Sequence, residues 1–355
     1  MSNFWSNKKV LITGDSGFKG SWLTCLLLKL GCKITGISLK PDKSNKLYNE
    51  LKKDKNFFNS KYIRNYKHLD LDIRNYEKLY NLITEFEPDI IFHLAAQPLV
   101  RESYKNPILT WDTNVMGTIN LLNSIKNLKS CSVVVITTDK VYENRNETSS
   151  YKESDELGGT DPYSSSKSAV ELAVKSWRKS FYQGNIKIST ARAGNVIGGG
   201  DWAYERIVPD TINALINNKK LRLRYPNAIR PWQHVLDPLS GYLILAEKQI
   251  QNQKSYAYNF GPNDNERLTV IELVNKISFE WGEKIKIVND ENQPPETNHL
   301  TLSTQKAKVE LNWHPKWDVN KSISQTINWY KKVHNNASPF DTIIDDIDNF
   351  LTGSK

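Results

Sequence analysis

Short β-type runs alternate with helical patterns through the first half of this chain, and that alternation restricts the fold more than any single motif does. Residues 8–13 form a strand run closed by Gly14, and residues 21–30 follow as a helix with Leu23, Leu26, Leu27 and Leu30 on one face. Residues 33–39, 66–71, 90–95, 132–137 and 186–192 are further strand candidates, with helical patterns at 76–85, 107–126 and 164–180 between them. Strand and helix in repeated alternation predict a doubly wound parallel sheet covered on both faces, an α/β fold. The lysine-rich stretch 40–62 reads as a loop with one short helix. After Gly194 the texture changes: Gly198-Gly199-Gly200 breaks the pattern and shorter elements follow. Helices are expected at 236–250, at 269–281 behind a Thr269 cap, and around Val319, Ile323, Ile327 and Val333. The expected organisation is a nucleotide-binding unit over 1–194, a smaller α+β part mainly over 195–340 with an interleaved boundary, and a loosely docked tail over 341–355.

Composition narrows the class of function. With 355 residues, 39% of them hydrophobic and 25% charged, the chain is neither collagenous, coiled-coil nor disordered. No apolar run approaches the roughly 18 residues of a membrane helix, and residues 1–9 lack an apolar signal core, so the expectation is a cytoplasmic protein off the membrane. The net charge is +9, but lysines are mixed with asparagine and acids, as in 52–56, with no block of five like charges. That pattern suits a solvated surface and a small anionic ligand, not nucleic acid. Cys25, Cys32 and Cys131 read as buried free thiols in a reducing compartment, and the six histidines show no metal-ligand spacing.

Between the first strand and the first helix lies Thr13-Gly14-Asp15-Ser16-Gly17-Phe18-Lys19-Gly20. Glycines allow a tight turn and close approach of backbone N–H groups to a pyrophosphate, and the helix N-terminus adds partial positive charge. This place in an alternating chain is where dinucleotides bind. The acid expected about 20 residues on, for a ribose hydroxyl, is missing; the second strand ends Ser38-Leu39-Lys40. Ser38 can bond a ribose, Lys40 or Lys43 can favour a 2′-phosphate, and NAD and NADP both stay open. Asp72, after the third strand, reads either as an adenine contact or as a helix N-cap.

Tyr163 and Lys167 are four apart on a helical pattern and therefore share a face. An ammonium beside a phenol favours the phenolate and is expected to lower the tyrosine toward neutral, making a base for a hydroxyl proton. Thr138-Asp139 ends the preceding strand, where open α/β sheets bind ligands; the alternative is a plain polar turn.

These motifs resemble the extended short-chain dehydrogenase/reductases of the nucleotide-sugar branch, whose fold is Rossmann-type. The resemblance is carried by the Gly14, Gly17, Gly20 loop, His93-Leu94-Ala95-Ala96-Gln97, Asn114, Thr138-Asp139 and Tyr163 with Lys167, in the family's order over nearly the whole chain. Longer strings resemble its 4,6-dehydratases for cytidine nucleotides: Gly17-Phe18-Lys19-Gly20-Ser21-Trp22, Gln97-Pro98-Leu99-Val100-Arg101, Asp139-Lys140, and residues 193–202 and 230–235. The resemblance implies a resident NAD held by Gly14, Gly17, Phe18, Lys19, Gly20, Asp72, Ile73, Ala95, Ala96, Asn114, Tyr163 and Lys167. It implies catalysis by Thr138, Asp139, Lys140, Tyr163 and Lys167, and substrate contacts from Gln97, Arg101, Thr138, Asn195, Arg206 and Arg230. It also implies a homodimer through helices that include 164–180 and conversion of a nucleotide-linked glucose to its 4-keto-6-deoxy form. Related dehydratases carry Asp-Glu after the threonine. Asp139-Lys140 departs from that, leaving the base for C5 open between Lys140 and another group such as Glu143. His93 is expected to support the cofactor loop. Trp202, Trp232 and His234 either face the ligand or belong to the core. A dehydratase for another nucleotide, an epimerase and a nucleotide-binding protein without chemistry are the alternatives; the complete set of Tyr163, Lys167, Thr138 and Asp139 speaks against the last.

Overall fold

The computed structural model describes residues 3–144, 149–182, 184–251, 256–263, 266–289 and 300–353. Six strands alternate with helices: β1 (Lys9–Thr13), β2 (Lys33–Ser38), β3 (Tyr66–Asp70), β4 (Ile90–His93), β5 (Cys131–Ile136) and β6 (Ile186–Ala193). A seventh, Ala257–Phe260, comes from the second half of the chain and pairs with β6. All seven are parallel, with β6 between the seventh strand and β5, followed by β4, β1, β2 and β3. Every residue of β4 and β5 is buried, which explains their unbroken apolar character: helices cover both faces. One core packs around Trp22, Leu26, Phe92 and Leu239, the other around Leu79, Ile91, Leu121 and Val170. The order reverses between β1 and β4, so the crevice beyond their carboxyl ends is the binding position of such a sheet.

Beyond Gly194 the described residues form, besides the seventh strand, two- and three-residue strands and six helices, of which Leu236–Ile250 and Val270–Trp281 stand where expected. Thr269 caps the latter in a capping box with Glu272. Three local expectations are corrected. The stretch 40–62 holds two helices, Lys46–Lys53 and Lys55–Asn59, because Asp54 ends one and caps the other by accepting from the Asn56 N–H. The helix expected over 107–126 is Pro107–Trp111, a π-turn Asp112–Met116 and Gly117–Ser124. The residues after Ala337 are no loose tail. Ser338 caps a helix, Pro339–Thr352, that buries Phe340, Ile343, Ile347 and Phe350 along one stripe. Asp54 accepts from the Ser338 hydroxyl (2.6 Å) and the Phe340 N–H (3.0 Å), tying this helix to the 40–62 stretch.

That docked helix makes stability depend on pH. Burial pushes the Asp346 carboxyl up to about 7, with Lys332 and Lys321 opposing and Asp345 adding. A folded value above the unfolded one means that its contribution is full below about pH 4 and is lost as pH rises through about 7. Asp346→Asn is therefore expected to be close to neutral near pH 4 and to stabilise by roughly 1–3 kcal/mol near pH 8. Urea unfolding at both pH values checks this; equal midpoints for variant and wild type near pH 8 contradict it.

Candidate active site

The glycine loop joins β1 to the helix α1 (Phe18–Lys29). Gly14 has φ +78°, and a Cβ on it would stand 2.7 Å from the Ala95 backbone nitrogen. A Cβ on Gly20 would stand 2.1 Å from the Gly14 carbonyl, so α1 approaches the loop this closely only as glycine. No side chain caps α1, leaving the N–H groups of its first turn for an anion. Asp15 buries its carboxylate against Gly36 of β2, accepting from the Tyr66 hydroxyl (2.6 Å) with His68 Nδ1 at 2.8 Å. The loop thus fits a pyrophosphate. At the end of β2, Ser38 accepts from Ser16 (2.8 Å), and Asn45 donates to Ser16 (3.2 Å), giving a neutral polar lining. Lys40 and Lys43 are exposed. Asp72 is not the helix cap; Asn75 is, while Asp72 accepts from the Arg74 N–H and pairs with its guanidinium at 2.6 Å.

At the end of β4, His93 is fully buried, and burial pushes its imidazole down to about 3. Thr118 Oγ1 donates to the Asn114 carbonyl (2.6 Å), so it accepts from His93 Nε2 (3.0 Å). Nδ1 then accepts from Thr13 Oγ1 (2.7 Å), which itself accepts from the Ala95 N–H (3.2 Å). A neutral Nε2–H imidazole therefore braces the β1 and β4 loops, as expected of a support. Asn114 sits in the π-turn, a frequent mark of a functional site. Its amide holds the Gln97 backbone and the Ser166 hydroxyl (2.9 Å), binding the 93–97 loop to the next helix.

That helix, Pro162–Ser180, starts at an Asp161 cap and presents Tyr163 and Lys167 on its buried face. The Tyr163 phenol lies beside the Thr138 hydroxyl, which favours its phenolate. Thr138 donates to Asp139 Oδ1 (2.9 Å), and Lys140 Nζ reaches the same oxygen at 3.2 Å. Asp139 is 1% exposed, and its Oδ2 is buried with no partner among the described residues. Hydroxyl, carboxylate and amine form one connected chain at the carboxyl end of β5, with the phenol beside it. The expectation of a near-neutral tyrosine is not met. Burial pushes Tyr163 up to about 12, Thr138 and Arg206 opposing, Asp139 and Asp161 adding. Lys167 turns its Nζ to the Ile136 carbonyl (3.2 Å), and burial lowers it to about 8 against Glu171.

Both halves supply guanidinium groups. Arg206 pairs with Asp201 (2.9 Å), Arg101 pairs with Glu205 (3.0 Å) across from it, and Arg230 is buried with one nitrogen on the Ile229 carbonyl. Asn195 Oδ1 is buried and has no hydrogen-bond partner among the described residues. Gln97 is committed to its own turn, accepting from the Leu99 N–H (2.6 Å) and donating to Leu99 and Thr110. Trp232 is core, donating to the Leu268 carbonyl. His234 packs between Trp22 and Trp317. Trp202 stands under Lys46 Nζ, 3.3 Å from the ring centroid, with Tyr330 edge-on. Glu143 lies against Gly158. Sequence reasoning missed Asp201 and Glu205, which orient two of the arginines, because pairing between loops leaves no local signal. It also missed Glu171, whose only sequence mark is its place four residues after Lys167.

Comparison with known proteins places this geometry. The model of the GDP-mannose 4,6-dehydratase family matches residues 11–326. The chain is 42% identical over 339 residues to the CDP-glucose 4,6-dehydratase of Salmonella typhimurium, covering 93% of this chain and 92% of that one. It is 26% identical over 345 residues to a UDP-glucose 4-epimerase of Pisum sativum, covering 92% and 96%. The crystal structure of dTDP-glucose 4,6-dehydratase from Bacillus anthracis in complex with NAD aligns with a TM-score of 0.77 at 26% identity, over 94% and 99% of the two chains.

Proposed function

This chain belongs to the GDP-mannose 4,6-dehydratase family of extended short-chain dehydrogenase/reductases, and on that premise we propose that it converts CDP-D-glucose to CDP-4-keto-6-deoxy-D-glucose with NAD as resident cofactor. The observation that carries the reading is Asp139, buried beside Thr138 and Tyr163 with one oxygen unpartnered among the described residues. An elimination needs an acid in that place, and an epimerase does not.

When bound, NAD supplies the hydride acceptor for C4 and the hydride donor for C6. The uncapped first turn of α1 at Phe18, Lys19 and Gly20 fits its pyrophosphate, with Gly14 and Gly17 shaping the turn. Asp72, Ile73, Ala95, Ala96 and Asn114 would hold the rest of it. Tyr163 takes the proton of the 4-hydroxyl, and Thr138 holds that oxygen; the Lys167 ammonium, one turn along the helix, favours the phenolate. A 4-ketone acidifies the C5 hydrogen. In its uncharged form the Asp139–Lys140 pair places a carboxylic acid beside an amine. Lys140 then accepts the C5 proton as Asp139 gives its own to the departing 6-hydroxyl, and water leaves. Arg206, Arg101 and Arg230 offer forked donors for the diphosphate, and Asn195 a further contact. Lys140 is 34% exposed, so a proton held there exchanges with solvent. Reaction in deuterium oxide should give a 4-keto-6-deoxy product carrying deuterium at C5. A C4 epimer with no deuterium at C5 would overturn the dehydratase reading in favour of an epimerase.

The protein acts in the cytoplasm as a homodimer. Three buried free thiols support the reducing compartment. Ile108, 84% exposed, with Leu109 and Trp111 on the helix Pro107–Trp111, Met116 in the π-turn and Leu172 on the helix Pro162–Ser180, offers an apolar surface that suits a second copy. Ile108→Glu combined with Leu172→Glu is expected to give a monomer by light scattering. A wild type already monomeric at micromolar concentration contradicts the dimer.

A further inference from the structure

We propose that Glu171 is a positioning residue of the active site, its buried carboxylate keeping Lys167 charged and fixing the turn that presents Thr138 to Tyr163. This rests on the reading of Tyr163 and Lys167 as the acid–base pair.

Residues 163, 167 and 171 follow at four-residue intervals down one face of the helix Pro162–Ser180, and all three side chains are buried. Glu171 lies beneath the catalytic pair, between the helix and the sheet. Its Oε1 accepts from Thr137 Oγ1 (2.5 Å) and Arg192 Nε (3.0 Å). Its Oε2 accepts from Thr190 Oγ1 (2.6 Å) and Arg192 Nη2 (2.9 Å). Thr137 follows the last residue of β5 and immediately precedes Thr138, so the carboxylate holds the turn that carries Thr138. Arg192 continues to the Tyr142 hydroxyl (2.8 Å), which donates to Asn259 on the seventh strand (2.7 Å). Helix, β5, β6 and the seventh strand are thereby locked in one register behind the reacting groups.

Charge gives Glu171 a second effect. Burial works to raise its carboxyl, but Arg192, Thr137 and Thr190 outweigh it and hold Glu171 below the usual carboxylate range. The charged groups facing it are Arg192 from β6, and Arg178 and Lys167 from its own helix. Lys167 faces Glu171, His93 of β4, which is neutral, and Lys19 of α1, a like charge. Burial lowers Lys167 to about 8, and Glu171 opposes that fall. A structural staple would need the four hydrogen bonds alone; keeping an ammonium charged needs the negative charge.

The test titrates Lys167 directly, by NMR of full-length protein carrying lysine labelled with carbon-13 at Cε, the resonance assigned with Lys167→Gln. Glu171→Gln is expected to lower the Lys167 midpoint by about one pH unit, and Glu171→Asp to restore most of it. The alkaline limb of kcat/KM should move down with it. If Arg192, left unpaired, prevents folding of Glu171→Gln, the double variant Glu171→Gln/Arg192→Gln removes the pair without stranding a buried charge and should show the same lowered midpoint. A folded variant with an unchanged Lys167 midpoint and a uniformly lower rate overturns the proposal. A wild type that turns over no nucleotide sugar would defeat the dehydratase reading and leave the titration still able to judge Glu171.

Discussion

Tyr163→Phe is expected to fold normally and to turn over roughly 10²–10⁴-fold more slowly, the range for loss of one acid–base group. The substitution removes only the hydroxyl. The backbone N–H of Tyr163 donates to Ser103, and the helix start is set by Asp161, so neither depends on it. What disappears is the hydroxyl beside Thr138, the acceptor for the 4-hydroxyl proton. Arg101 and Arg206 are untouched, so the loss should fall on kcat with KM little changed. Steady-state kinetics with circular dichroism on the same sample check this. Turnover within about twofold of wild type would remove Tyr163 from the role of base.

Asp139→Asn should separate the two halves of the reaction. The amide keeps the shape of the side chain but has no proton to give to a departing hydroxyl. Oxidation at C4, which uses Tyr163, should still proceed, so one equivalent of reduced-nicotinamide absorbance should rise and persist. Product should fall by roughly 10²-fold or more. Rapid-mixing absorbance with product analysis reads both. Normal product formation with no lasting absorbance would show that the elimination draws its acid from elsewhere. Lys140→Ala should stall at the same point; if it turns over freely while Asp139→Asn stalls, another group takes the C5 proton.

Much of the sheet was readable because strands buried on both faces are continuous apolar runs, as in β4 and β5, and because Gly14 marks a turn that only glycine can make. The seventh strand, Ala257–Phe260, escaped notice: four residues from the second half carry too little periodicity to reveal that they join a sheet built in the first. In the sequence the C-terminal helix reads as a tail because its acids dilute a stripe that only packing against α1 and the 40–62 stretch reveals. In the candidate site, spacing puts Tyr163 and Lys167 on one helix face and Thr138 and Asp139 at a strand end, where they stand in the fold, since a helix face and a strand end are local properties. At the Tyr163 phenol burial, a tertiary property that spacing does not show, outweighs the neighbouring cation. Gln97 likewise looked like a ligand contact, yet its amide closes its own turn. Asp201 and Glu205, which pair with Arg206 and Arg101, had no mark short of the fold itself.

The central claim is that this active site oxidises, dehydrates and reduces one cytidine-linked glucose. Purified protein should be incubated with a panel of nucleotide-diphosphate glucoses and the alkaline absorbance of a 4-keto-6-deoxy sugar followed, first without added cofactor and then with NAD or NADP. The account predicts product from CDP-glucose and from no other member of the panel. Product from a different nucleotide sugar, or none from CDP-glucose with either cofactor supplied, would contradict it.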